Sequence, residues 1–318
     1  MQAIQFQHVP LVEATRGDLT ESVHYGSFAV VDAGGTLRSA AGSPEAPYYA
    51  RSSLKPFQST AMVRAGLQLP PRLLALSSAS HSGAPVHIEG AREILSMHGL
   101  DETALRNALD LPYGAKEREA WLRGGGEPTQ ITQNCSGKHA AMLATCVVND
   151  WSRDDYLSPE HPLQRLVKQT VEEFTGEESA ADTVDGCGTP LFAFSLTGLA
   201  HAAARLGAAD PASAEGSVFS AIQAHPDMLA GEQRDVTALM RSVPSLIAKD
   251  GAEGFQLVAL RSGVGVAIKI SDGGDRARMP ITLAILRELG VAEAELADVP
   301  LQQILGGGAP RGVLRTLR

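Results

Sequence analysis

Arg51-Ser52-Ser53-Leu54-Lys55-Pro56 places a serine and a lysine three residues apart. On a helix that spacing shares a face, so Ser52 and Lys55 would point together and Ser53 elsewhere. A serine hydroxyl attacks a carbonyl only when a base takes its proton. A lysine is that base when desolvation or a neighbouring cation keeps it neutral. The competing reading is a helix-capping Ser52 beside a solvated Lys55, and the pair alone does not choose.

Two further segments add groups of the same kind. Ser77-Ser78-Ala79-Ser80-His81-Ser82-Gly83 is a dense hydroxyl cluster ahead of a helix, and Lys249-Asp250-Gly251 closes an expected strand. In acyl-transferases with a Ser-x-x-Lys nucleophile, a second serine relays protons and a strand lysine adds positive charge near the substrate carboxylate and the developing oxyanion. A turn of serines and an edge-strand lysine are the plainer alternatives.

The cysteines carry a third possibility. Asn134-Cys135-Ser136-Gly137-Lys138-His139 precedes a helix, whose positive end favours a thiolate. Asp185-Gly186-Cys187-Gly188-Thr189-Pro190 sets a second cysteine between glycines that let the backbone approach a ligand. Thiolates bind metals as well as attack carbonyls. Four protein ligands of the usual zinc set are not evident, so two buried structural thiols stand as the other outcome. Cys146 reads as helix core. His81 and His139 stay open between base, ligand and structural residue.

These groups need elements to hold them. Residues 10–41 read as strands, with Ser22–Tyr25 and Ser27–Val31 β-rich, a turn at Asp32–Gly35 and a return over Thr36–Ala41. Helical spacing marks Lys55–Ala65, Ile88–Met97, Lys138–Val148, His161–Phe174, Leu191–Leu206 and Glu215–His225. Gly207–Gly216 reads as a surface connection. Strands return at Ser245–Ala248, Phe255–Leu260 and Val264–Ile270, and Arg276–Leu289 closes as a helix that tolerates Pro280 only near its first turn. Strands at both ends predict an α+β fold: one antiparallel sheet from the terminal segments, flanking helices, a helical lobe over roughly 56–240, and an active site between lobes. The whole of 1–318 reads as one catalytic domain.

The bulk properties narrow the partners. The net charge of −9, with no basic run, argues against nucleic acid. No stretch of about 18 apolar residues predicts a membrane span. The start Met1-Gln2-Ala3-Ile4-Gln5-Phe6-Gln7 has neither basic nor apolar signal-peptide regions, and three cysteines suit reduced thiols, so a cytoplasmic location is expected.

Arg51-Ser52-Ser53-Leu54-Lys55-Pro56-Phe57-Gln58, Ala79-Ser80-His81-Ser82-Gly83, Asn134-Cys135-Ser136-Gly137-Lys138-His139-Ala140 and Asp185-Gly186-Cys187-Gly188-Thr189-Pro190 together resemble the asparaginase II family, the rhizobial-type or class 3 L-asparaginases. Lys249–Gly254 and Lys269–Gly273 fit the same pattern, and beyond Asp272 the chain is shorter than it. The resemblance implies a serine β-lactamase and penicillin-binding-protein-like fold, hydrolysis of L-asparagine to L-aspartate and ammonia, and a homodimer. It implies two Ser-Lys pairs, Ser52 with Lys55 and Ser80 with Lys249, with Ser82 close enough to compete for the role of Ser80. It also implies zinc on Cys135, Lys138 and Cys187, with Lys138 neutral when it ligates. Asp185 is a candidate for the substrate ammonium, Gly251 for a backbone contact, and Arg51 for either a substrate contact or a structural ion pair. A glutaminase, a β-lactam-acylated hydrolase and a non-catalytic amino-acid binder are the alternatives.

Overall fold

The computed structural model describes residues 6–317; residues 1–5, which carry most of the signal-peptide reading, and Arg318 lie outside them. The chain divides into two compact units, neither continuous in sequence. One comprises the described residues up to Ser53, 193–208 and those from 238 onward; the other comprises 54–192 and 209–237.

The first unit is built on the expected antiparallel sheet. Its strands run in the order Leu314–Thr316, Val9–Arg16, Leu19–Asp32, Val264–Ile270, Phe255–Leu260, Leu246–Gly251, and Leu37–Ala41 also pairs with Leu19–Asp32. Both ends of the chain meet in it: Val12 pairs with Thr316, and Ala29 with Ala267. Strands 246–251 and 255–260 are buried at every position, so neither shows the apolar/polar alternation of a half-exposed strand, and Lys249, Asp250 and Gln256 are buried within them. The two β-rich stretches before Asp32 form a single strand of 14 residues that passes through Gly26. A Cβ there would stand 2.4 Å from the Lys269 carbonyl oxygen, so only glycine lets the two central strands close.

Helices Leu196–Ala208 and Asp275–Glu288 pack on this sheet. Three expectations need correction here. Pro190–Ser195 is a fully buried strand, not the start of a helix; its Phe192 and Phe194 suit a strand, Tyr48 pairs with Phe194, and the helix begins only at Leu196. Ser195 marks the change, its hydroxyl accepting the Gly198 N–H at 2.8 Å. Gly207 is not on a surface connection but inside helix 196–208, where a Cβ would stand 2.1 Å from the Leu260 carbonyl. Pro280 lies beyond the first turn of helix 275–288, so the bond its missing N–H would make is given up inside a buried helix.

The second unit is helical. Lys55–Arg64, Pro85–Met97, Ser136–Val148, Pro162–Thr175 and Ala214–Ala224 fall where helical spacing predicted them, and Pro71–Ser77 and Ala115–Arg123 are additional. Helix 136–148 is the centre: it packs against helices 55–64, 71–77 and 85–97. Its second residue, Gly137, has Leu76 so close that a Cβ would stand 2.6 Å from the Leu76 carbonyl. That approach fixes where Cys135 and Lys138 begin their helix. Among the described residues, no helix is long and apolar enough to cross a membrane.

Candidate active site

Within the first unit, Ser52 lies on a 3₁₀ turn, Arg51–Leu54, that runs directly into helix 55–64. Arg51 has φ 52°, a left-handed conformation that costs a residue with a Cβ roughly 1–3 kcal/mol and is concentrated at functional sites. The turn is stitched to strand 246–251. Ser53 donates from its N–H to the Ala50 carbonyl at 3.1 Å and from its hydroxyl to the Lys249 carbonyl at 3.0 Å. Gly251 is required by the same approach, since a Cβ would stand 2.4 Å from the Ala50 carbonyl. Lys249 is buried and donates from Nζ to its neighbour's carbonyl oxygen and to Asp250 Oδ1, at 2.7 and 2.8 Å.

In the second unit, Lys55 opens its helix with 1% of its surface exposed. Its Nζ contacts the Ala79 carbonyl oxygen at 2.6 Å, Ser80 Oγ at 2.9 Å and Cys135 Sγ at 3.1 Å. An ammonium has three protons, and three acceptors are present. A neutral amine keeps two of these bonds and receives the Ser80 proton on its lone pair, so either protonation state fits the same geometry.

The hydroxyl cluster separates by partner. Ser77 and Ser78 donate to Ser59 Oγ, at 2.9 and 2.7 Å, and are structural. Ser82 donates to the Ala230 carbonyl at 2.9 Å. Ser80 is the one beside Lys55. The loop is clamped along its backbone, with the amides of Ser80, His81 and Ser82 bonded to the carbonyls of Leu229, Asn134 and Ala230.

The thiols form a second, adjoining group. Lys138, also 1% exposed, reaches Cys187 Sγ at 3.2 Å and Thr189 Oγ1 at 3.0 Å. The loop Asp185–Thr189 presents Cys187 by folding back on itself, with the Asp185 N–H on the Thr189 carbonyl at 2.9 Å and Gly188 at φ 97°. Asp185 is half-buried at the base of this loop. The hydrogen bond offered by Cys135 holds the Cys187 thiol well below its ordinary range, against burial and with help from the Lys138 charge. Cys135 is pushed correspondingly up, by that bond and by burial. Burial pulls Lys138 down, but the charge of Cys187 and Cys135 outweighs it and leaves the amine above its usual range. Cys146 is core, with burial raising its thiol to about 12.

Lys55, Ser80, Cys135, Lys138 and Cys187 are therefore brought together inside one unit, while Arg51, Ser52, Lys249 and Gly251 belong to the other. Thr189, which holds Lys138, lay within a motif but gave no reason to be singled out. Tyr156, bonded to His139 at 2.8 Å, had no sequence signal at all.

The second unit thus holds a buried lysine hydrogen-bonded to both a serine hydroxyl and a cysteine sulfur. A model of the L-asparaginase II family matches residues 12–316, and the chain belongs to that family. No curated protein matches the chain. Among solved structures it is similar to Mglu in its native form (14% identity, TM-score 0.44, 82% of this chain and 62% of Mglu). It is also similar to Mglu in its glutamate form (16% identity, TM-score 0.40, 84% of this chain and 62% of Mglu). A putative beta-lactamase from Bacteroides dorei DSM 17855 aligns over 82% of this chain and 93% of its own length, at 12% identity and TM-score 0.45. The chain thus spans about three-fifths of Mglu. The assignment rests on the family match.

Proposed function

We propose that the protein hydrolyses L-asparagine to L-aspartate and ammonia through an acyl-serine intermediate. The observation that carries this is Lys55, a buried amine bonded to Ser80 Oγ at 2.9 Å in a chain of the L-asparaginase II family. Ser52 attacks the side-chain carbonyl carbon and passes its proton to neutral Lys55, expelling ammonia after Ser80, working with Lys249, returns a proton to it. Water then cleaves the ester and releases aspartate. Asp185 and Arg51 carry the charges complementary to the α-ammonium and α-carboxylate, and Gly251 offers backbone without a side chain in the way.

A second reading has its own support. The hydroxyl that receives a hydrogen bond from Lys55 Nζ, at 2.9 Å, is that of Ser80, which favours Ser80 as the attacking residue and Ser52 as the relay. Trapping the acyl-enzyme and locating it by mass spectrometry separates the two: an adduct on Ser52 supports the first, on Ser80 the second. Full ammonia release from L-asparagine by both Ser52→Ala and Ser80→Ala would overturn both. Turnover of L-glutamine or a β-lactam in place of asparagine would redirect the substrate.

The donor set also fits the zinc expected here. Two sulfurs and one amine, all buried and mutually adjacent, match the borderline-soft preference of that ion, with water completing four. Among the described residues no cluster of three His, Cys, Asp or Glu side chains offers a more ordinary site. Cys135, Cys187 and Lys138 would hold it, and Lys138 would have to shed its proton to do so. Bound there, zinc would supply positive charge to orient the substrate.

A further inference from the structure

Two segments of the second unit grip the loop that carries Ser80. The first is 229–234. The Ser80 N–H donates to the Leu229 carbonyl at 3.0 Å, and the Ser82 N–H and hydroxyl both donate to the Ala230 carbonyl, at 2.7 and 2.9 Å. Gly231 permits this approach, since a Cβ there would stand 2.3 Å from Ser82 Oγ. The second segment is 112–114. The Gly114 N–H donates to the Ser82 carbonyl at 2.8 Å, and a Cβ on Gly83 would stand 2.7 Å from Pro112 Cβ. Arg234 joins the two segments across the loop. Its Nη1 donates to the Ser80 carbonyl at 3.3 Å, and its Cζ stands 4.7 Å from the centre of the Tyr113 ring.

A guanidinium suits this place for a geometric reason. Its N–H bonds lie in its plane, so it can bond a carbonyl at its edge while its face lies over an aromatic ring. Ser80 is then fixed at three points: its N–H by Leu229, its carbonyl by Arg234 and its hydroxyl by Lys55. The first two fix its backbone, and the backbone sets the direction in which the side chain leaves. We infer that Arg234 is a positioning residue, steadied by Tyr113, whose bond to the Ser80 carbonyl aims the Ser80 hydroxyl at the Lys55 amine. This rests on the function proposed above, in which Ser80 either attacks or relays a proton; the aim of its hydroxyl matters equally in both roles.

Two measurements on the full chain test it. In ammonia release from L-asparagine, Arg234→Met should lower kcat by roughly 10- to 100-fold while KM stays within about 3-fold, because aim is lost and substrate contacts are kept. Tyr113→Leu should show the same split to a smaller extent, and Tyr113→Phe, which keeps the ring face, should stay within about 2-fold of wild type. In hydrogen exchange read by mass spectrometry, a peptide spanning 79–83 should exchange about 10-fold faster or more in Arg234→Met, with helix 85–97 unchanged. An unchanged kcat in Arg234→Met would overturn the inference. So would a loss confined to KM, which would make Arg234 a substrate contact, or equal damage in Tyr113→Phe and Tyr113→Leu. A wild type that releases no ammonia defeats the proposed function instead, and hydrogen exchange then decides, with unchanged protection over 79–83 overturning the inference. Should Arg234→Met not fold, Tyr113→Leu, at a ring 43% exposed, carries both measurements.

Discussion

Lys55 Nζ stands 2.9 Å from Ser80 Oγ, with both side chains withdrawn from solvent. The other two contacts of that amine, to a carbonyl oxygen and a sulfur, need only N–H donation. Proton transfer across the third contact would need no rotamer change, which is what the proposed base role asks of the geometry.

Lys55→Arg should therefore be far more damaging than its conserved charge suggests. A guanidinium does not give up a proton and cannot serve as the base. Removing the base should lower kcat for asparagine by about 10²- to 10⁴-fold, with Lys55→Met showing a similar loss. Steady-state ammonia release checks this, and an Arg variant within a few-fold of wild type would remove Lys55 from the base role.

Ser82→Ala makes the opposite prediction. Its hydroxyl is committed to the Ala230 carbonyl, so the variant should keep its turnover and lose about 1 kcal/mol of stability. Parallel kinetics and urea unfolding on Ser80→Ala and Ser82→Ala test the division, and a collapse of activity in Ser82→Ala would reverse it.

The two thiols should differ in what else they disturb. Cys187→Ser alters the Lys138 group, whereas Cys135→Ser also replaces the sulfur acceptor of Lys55 with the oxygen of a shorter side chain. Both variants should lose stoichiometric zinc, measured by mass spectrometry under native conditions. Cys135→Ser should additionally shift the pH dependence of kcat/KM, and identical pH profiles in the two variants would uncouple Cys135 from Lys55.

Acid should destabilise the fold through His81 and His87, stacked with ring centroids 5.1 Å apart. Burial holds both rings below their ordinary range, and the His87 charge and then Lys55 add to the effect on His81. Nδ1 of His87 accepts the Ala84 N–H at 3.1 Å and Nε2 donates to the Asp227 carbonyl at 2.9 Å, so a second proton has no place on it. The sign follows from linkage. Below pH 6.5 the unfolded chain takes up protons that the folded rings refuse, so stability falls as pH drops through 6.5 toward the lowered folded values. Each ring contributes a slope of up to about 1.4 kcal/mol per pH unit in that window. Urea unfolding between pH 7 and 5 should show a shallower slope in His87→Gln than in wild type; an unchanged slope would remove His87 from the account.

Much of this was legible because it is periodic or because it is chemical. The sheet formed from both chain ends follows from Phe255–Leu260 and Val264–Ile270, short apolar runs bounded by glycine, and from the β-rich run before Asp32. Cys135, Lys138 and Cys187 stood out by residue type. What spacing cannot supply is a partner. Ser77, Ser78, Ser80 and Ser82 are equivalent on paper, and only the tertiary placement of Ser59, Ala230 and Lys55 divides them into structural and chemical hydroxyls. Pro190–Ser195 misled because six apolar and small residues lead straight into a helix, and the boundary depends on pairing with distant Pro47–Tyr49. Tyr156 was invisible for the same reason.

The pairing of Val12 with Thr316 has a meaning for biosynthesis. Translation delivers about 5–20 residues per second, so the first strand waits on the order of tens of seconds, about 300 residues, for its edge neighbour to leave the ribosome. The inner strands 264–270 and 255–260 and the far edge strand 246–251 emerge almost as late. For most of its synthesis the nascent chain therefore holds two apolar N-terminal strands with open edges, which is the form most exposed to misassociation and the one a chaperone would meet.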